Sequence, residues 1–130
     1  MTSALLDTHA YVWAVTAPGR LGDRARELVE DATTGLVVSA ATVWEMSTKH
    51  RTGRWPEVEP LLARHADVLS RLRAGALPID HDDAALGGSL SWDHRDPFDR
   101  VLAAQALRRG LPLVTRDRVF SGVPGLRTVW

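Results

Sequence analysis

The chain has 130 residues, with 16 Lys and Arg balanced by 16 Asp and Glu, and no cysteine. That excludes disulfide frameworks, thiolate metal sites and thiol nucleophiles, and a neutral total does not advertise polyanion binding. No run of about 18 apolar residues occurs, and MTSALLDTH meets Asp7 without a basic leader, so neither a membrane span nor a signal peptide is expected and a cytoplasmic location is the default.

No internal repeat or linker divides the chain, and a chain this size buries roughly two thirds of its unfolded surface. One domain over residues 1–130 is expected. Ala4-Leu5-Leu6 is a short apolar run that reads as a buried first strand ending at Asp7. A short helix through Tyr11, Val12 and Trp13 breaks at Pro18-Gly19. Leu21, Ala25, Leu28, Val29 and Ala32 then recur at helical spacing, and Gly35 ends that connection. Leu36-Val37-Val38 is the second strand. Ser39 or Thr42 caps the following helix, Thr42 to Glu45 having capping-box form, and that helix ends near Gly53. Pro56 and Pro60 bracket the start of one more helix, carrying Leu61 to Leu72 and stopped by Gly75. Leu77-Pro78-Ile79 is a third strand, followed by a brief helix that ends at Gly87-Gly88.

Residues 93–109, DHRDPFDRVLAAQALRR, open the most sharply punctuated helix. Pro97 fits the first helical position, Asp96 the N-cap and Asp99 the third position, and Gly110 stops the helix. Asp96 is also placed to pair with Arg100 one turn on. Leu111 to Thr115 is a fourth strand with Asp117 just past its end, and Leu126 to Trp130 an edge strand. Strands alternating with helices point to an α/β fold with a parallel sheet covered on both faces.

In such sheets ligands bind outside the carboxyl ends of the strands. Asp7 follows strand one, Asp117 follows strand four, Asp96 and Asp99 open the helix that feeds strand four, and Glu45 lies early in the helix after strand two. All five are placed at one edge. No basic residue lies in the strands leading to Asp7 and Glu45, so converging carboxylates would repel and take up protons unless a cation joined them. Oxygen-only ligands favour Mg²⁺ or Mn²⁺, ions that activate water against a phosphodiester.

Each acid also has a plainer role. Asp7 and Asp96 serve as helix caps, Glu45 as the partner of Thr42, and Asp117 as a turn residue between Arg116 and Arg118. The five histidines show no metal-ligand spacing; His81 reads as a helix start, and His94, nearest the pocket, as structural. Ser39 and Thr115 read first as cap and turn residues. Lys49, His50, Arg51 and Arg54 with Trp55 form a basic and aromatic cluster suited either to a nucleic-acid backbone or to a solvated helix end. Trp13 and Trp44 near the strand ends suit a partner groove or the core.

LLDTHAYVW, VSAATVWEMSTK, HRDPFDRVLAAQA and LVTRD, in this order, resemble the motifs of PIN-domain ribonucleases, and more narrowly the VapC toxins of bacterial toxin–antitoxin pairs. The resemblance runs from residue 4 to the C-terminus. It implies a PIN-like three-layer α/β/α fold with a central parallel sheet of four to five short strands. It further implies an acidic pocket that binds Mg²⁺ or Mn²⁺ and hydrolyses phosphodiesters of single-stranded RNA or exposed RNA loops. The family's acids fall on Asp7, Glu45, Asp99 and Asp117, with Asp96 an extra carboxylate supporting them as N-cap. The resemblance also implies a homodimer held inactive by a cognate VapB-type antitoxin.

Two other readings fit parts of this pattern. A phosphatase using an aspartate after strand one resembles D-x-D, and here the residue two past Asp7 is His9. A non-catalytic module, whose acidic groove grips a basic partner peptide, is the main alternative.

Overall fold

Each short apolar run pairs with another in a parallel sheet in the computed structural model, which describes residues 2–130. The strands are β1 (Ser3–Leu6), β2 (Gly35–Ser39), β3 (Ala74–Leu77), β4 (Leu113–Val114) and β5 (Thr128–Val129). Their order is β3-β2-β1-β4-β5, and every neighbouring pair is parallel. The chain moves outward from β1 to β2 and β3, then returns to β1's other side with β4. That reversal opens a crevice above the carboxyl ends of β1 and β4, where ligands bind in sheets of this type.

Seven helices cover the sheet: α1 (Thr8–Thr16), α2 (Asp23–Glu30), α3 (Ala40–Arg51), α4 (Glu59–Ala63), α5 (His65–Leu72), α6 (His81–Ser89) and α7 (Pro97–Arg109). The period of two along the strands sorts them into layers. Ala4, Leu6, Leu36, Val38 and Val114 face one core with Tyr11, Ala25 and Leu61. Leu5 and Leu113 face the other, with Leu102, Ala103 and Ala106 of α7. Leu5 and Leu6 are completely buried, each contributing about 1.5–3 kcal/mol. The result is the expected α/β/α arrangement.

The central helix behaves as its punctuation predicts. Asp96 accepts a hydrogen bond from the Phe98 N–H at 2.9 Å, Pro97 occupies the first position, and Gly110 closes the helix with φ 63°. Its far end is locked to α6 by Asp83, a fully buried carboxylate held by Arg108, Arg109 and Gln105. Burial opposes charge on Asp83, but those hydrogen bonds win and hold it far below the usual carboxylate range.

Several boundaries differ from expectation. Ser39, not Thr42, caps α3, accepting from the Ala41 N–H at 3.0 Å. Thr42 therefore lies buried inside the helix, and Glu45 has no capping-box role. Gly35 begins β2 rather than ending the preceding connection, and Ala32 falls beyond α2. The single helix expected over residues 56–74 is a 3₁₀ turn, Pro56–Val58, and two helices meeting at Arg64. Arg73 makes the left-handed stop (φ 56°), because pairing of Leu36 to Ser39 with Ala74 to Leu77 draws Gly75 into β3. The third strand therefore precedes Pro78 instead of spanning it. The helix α6 runs through Gly87 and Gly88, since Gly87 is buried where α7 crosses and a Cβ there would sit 3.4 Å from Arg100 O. The strands β4 and β5 keep only two residues each.

Candidate active site

Asp7 ends β1 and caps α1, its Oδ1 accepting the Ala10 N–H at 2.8 Å. Its own N–H donates to Val114 O at 3.0 Å, fixing the acid relative to β4. Its residue is only 8% exposed. Glu45 sits one and a half turns into α3 and is also buried. One of its oxygens accepts from Thr8 Oγ1 at 2.6 Å and the other from Lys49 Nζ at 2.6 Å.

Asp99 occupies the third position of α7, and its Oδ2 lies 2.6 Å from His94 Nε2. A ligand atom of Asp96, one of Asp99 and one of His94 fall within 4.8 Å of one another. Asp117 follows β4 and caps a 3₁₀ turn, Arg118–Gly122, with Oδ1 accepting the Val119 N–H at 3.0 Å. The Asp117 N–H donates to Thr115 Oγ1 at 3.0 Å, so Thr115 orients the turn that carries this acid.

Asp7, Glu45, Asp96, Asp99 and Asp117 all line one cavity of about 510 Å³ at the carboxyl edge of the sheet. Its electrostatics are those of crowded, dehydrated acids. Burial, reinforced by Glu45 and Asp117, pushes Asp7 up to about 6 despite help from Thr115 and the Ala10 N–H. Burial, with Asp96 and Glu45 nearby, likewise pushes Asp99 up to about 6 against the stabilising contact with His94. Two carboxyls that resist ionisation beside three further acids form a site that a divalent cation would relieve. The donors are almost all oxygen, and the set fits a hard cation.

Some of this differs from expectation. The acids do not converge without partners: Glu45 is paired with Lys49, one helical turn away, and Asp99 is hydrogen-bonded to His94. The Glu–Lys spacing of four was itself a readable signal. Of the cluster expected around Trp55, only Lys49 lines the cavity, its Nζ 5.6 Å from the Trp55 ring centre, while His50, Arg51 and Arg54 are exposed elsewhere. Trp44 is 60% exposed and stands edge-on to Phe98 at 5.1 Å, while Trp13 lines the cavity.

Arg100 does not pair with Asp96. Its guanidinium turns away and donates to the carbonyls of Gly87, Leu90, Trp92 and His94 at 2.6–2.9 Å, with Gly88 at 3.5 Å. One side chain thereby holds the end of α6 and the loop that presents His94. Five fixed donors in a plane suit this task, and nothing in the spacing of the sequence advertised it.

A family model for the PIN domain matches residues 4–126. Ribonuclease VapC22 of Mycobacterium tuberculosis is 32% identical over 120 residues, 91% of this chain and 89% of that protein. Among solved structures, VapBC2 from Rickettsia felis, bound to a DNA fragment from its promoter, superposes with a TM-score of 0.72 at 17% identity. That match covers 98% of each chain. DNA-bound VapBC from Salmonella typhimurium gives 0.69 at 21% identity, covering 99% and 98%. With its sheet order, its acids at the carboxyl edge and these matches along nearly its whole length, the chain belongs to the PIN-domain family, among its VapC-type members.

Proposed function

We propose that the chain is a metal-dependent endoribonuclease, the toxin of a toxin–antitoxin pair, acting as one PIN domain over residues 1–130. The observation that carries this reading is the convergence of Asp7, Glu45, Asp99 and Asp117, from four separate elements, in one cavity. Its relative along most of the chain bears the name ribonuclease. Asp7, Glu45, Asp99 and Asp117 hold the ion, and Mg²⁺, with Mn²⁺ as substitute, suits these hard oxygen donors. When bound, the ion neutralises charge on the phosphodiester and supplies an activated water.

The remaining tasks fall to the chain's own side chains. Thr8 and Lys49 fix both oxygens of Glu45, so the carboxylate is oriented before any ligand arrives. His94 Nε2 shares a proton with Asp99 Oδ2 and gives that carboxyl a partner while it is charged. Asp96 holds the mouth of α7 in place and supports Asp99 from the cavity wall. No side chain is required as a covalent nucleophile.

The solved relatives named above are VapBC assemblies, which supports a VapB-type antitoxin as the partner, and the family resemblance implies a homodimer as the working form. Among the described residues no helix is long and apolar enough to cross a membrane, in keeping with action in the cytoplasm. The test is cleavage of a total RNA pool with Mg²⁺ or Mn²⁺, beside an EDTA control and Asp7→Ala. Discrete fragments that vanish in both controls are the expected result. Intact RNA under every condition would reject the enzyme in favour of an acidic groove for a basic peptide.

A further inference from the structure

Beside the acids, the cavity wall changes character from carboxylate to aromatic and cationic. The His9 ring lies on Trp55 with centroids 4.8 Å apart and planes 27° from parallel. Trp13 stands against the same imidazole at 5.4 Å. Two guanidiniums flank Trp13, Arg20 at 5.4 Å and Arg116 at 5.9 Å from the ring centre. His9, Trp13 and Arg116 line the same cavity as Asp7 and Asp117.

Three features mark this wall as more than core packing. His9 is exposed although it sits among aromatic rings. Among the described residues, neither Arg20 nor Arg116 has a salt-bridge partner, and both are exposed. The Trp55 ring that backs His9 has Lys49 Nζ 5.6 Å from its centre, so the wall is cationic on that side as well. Aromatic rings at the rim, with unpaired guanidiniums beside them, match an unstacked base followed by a phosphate. A double helix fits poorly, because its bases are already stacked.

We propose that His9 and Trp13 form a subsite that stacks an unpaired nucleobase of a single RNA strand next to the bond at the acids, with Arg116 taking the neighbouring phosphate. This rests on the ribonuclease reading and goes further by assigning His9, Trp13 and Arg116, outside the acids, to the positioning of the strand. His9 and Trp13 position the strand and perform no chemistry.

The test is binding of a short single-stranded RNA to the Asp99→Asn chain, read by fluorescence anisotropy so that cleavage does not intervene. An abasic ribose is walked along the strand. His9→Ala is expected to weaken binding of intact RNA roughly tenfold, the scale of one lost stacking contact. The same substitution is expected to cost nothing on the RNA whose abasic ribose faces the rim. Trp13→Leu, which keeps apolar bulk against the core, is expected to behave alike, with circular dichroism melts confirming that both variants fold. Arg116→Gln is expected to flatten the salt dependence by about one phosphate contact, near 0.7 in log–log slope. Equal losses on intact and abasic RNA at every position, or no loss at all, while the parent chain with Asp99 intact cleaves RNA, would overturn the subsite and leave the enzyme standing. Failure of the unmodified chain to cleave RNA with Mg²⁺ or Mn²⁺ would overturn both.

Discussion

Replacing Asp7 by asparagine should stabilise the protein at neutral pH when divalent ions are removed. Burial carries this carboxyl from 3.8 to about 6, so the folded chain binds the proton more tightly than the unfolded chain. Stability contributed by the protonated form is complete at low pH and is lost as pH rises from about 4 to about 6. Above that, the folded state bears the whole cost of a buried charge. The difference of about two pH units is worth up to about 3 kcal/mol, and relaxation of the site lowers the realistic gain to about 1–3 kcal/mol. Asparagine removes the charge yet keeps an oxygen for the Ala10 N–H, so the cap of α1 survives. Urea denaturation in EDTA at about pH 7.5 should show the gain, and at about pH 4 the two proteins should nearly coincide. Added Mg²⁺ or Mn²⁺ should reverse the order, raising the midpoint of the parent and leaving the variant behind. An asparagine variant that is less stable than its parent at neutral pH without metal would refute the argument that these acids are held under strain for a cation.

Further outcomes follow from the same geometry. Cleavage should fall as pH drops through about 6, where both Asp7 and Asp99 take up protons, and higher metal concentration should move the fall to lower pH; a flat profile from pH 7 to 5 would contradict this. Arg100→Lys should lose about 2–3 kcal/mol and most of the cleavage rate, since one ammonium cannot serve five carbonyls; denaturation and rate measurements with unchanged values would contradict the clasp. Asp83→Ala should cost about 1.5–3 kcal/mol by removing the buried carboxylate that ties Gln105, Arg108 and Arg109 to α6, Asp80 still being left to both arginines, while the cleavage rate per folded molecule stays at the parent value; a rate loss without destabilisation would place Asp83 in the chemistry instead.

The acids were legible because they sit at punctuation marks. Asp7 and Asp117 end apolar runs, and Asp99 follows a proline that can only open a helix, so topology alone brings them to one edge. What the sequence hid was the pairing around them. Lys49 reads as part of a basic helix end, yet its side chain folds back one turn onto Glu45. His94 lies five residues before Asp99, a separation that faces the two together only because Arg100 curls the intervening loop. Boundaries failed where tertiary pairing overrode local signals. Gly75 looked like a helix stop and became a strand residue, because the edge of β2 required a partner there. Gly87 looked like another stop and instead became the point of closest approach between α6 and α7.

The central position of β1 has a consequence for synthesis. The second strand to appear, β2, is one neighbour of β1, but β1's other neighbour is β4, and Leu5 meets Leu113 about a hundred residues later in the chain. Contacts that distant form late, since a long loop must close before they contribute. A nascent chain emerging from the ribosome therefore carries Asp7 and Glu45 on a half-built sheet, with one wall of the cavity still untranslated. The acids of the proposed ribonuclease site are therefore complete only after β4 and Asp117 have been made and docked against β1.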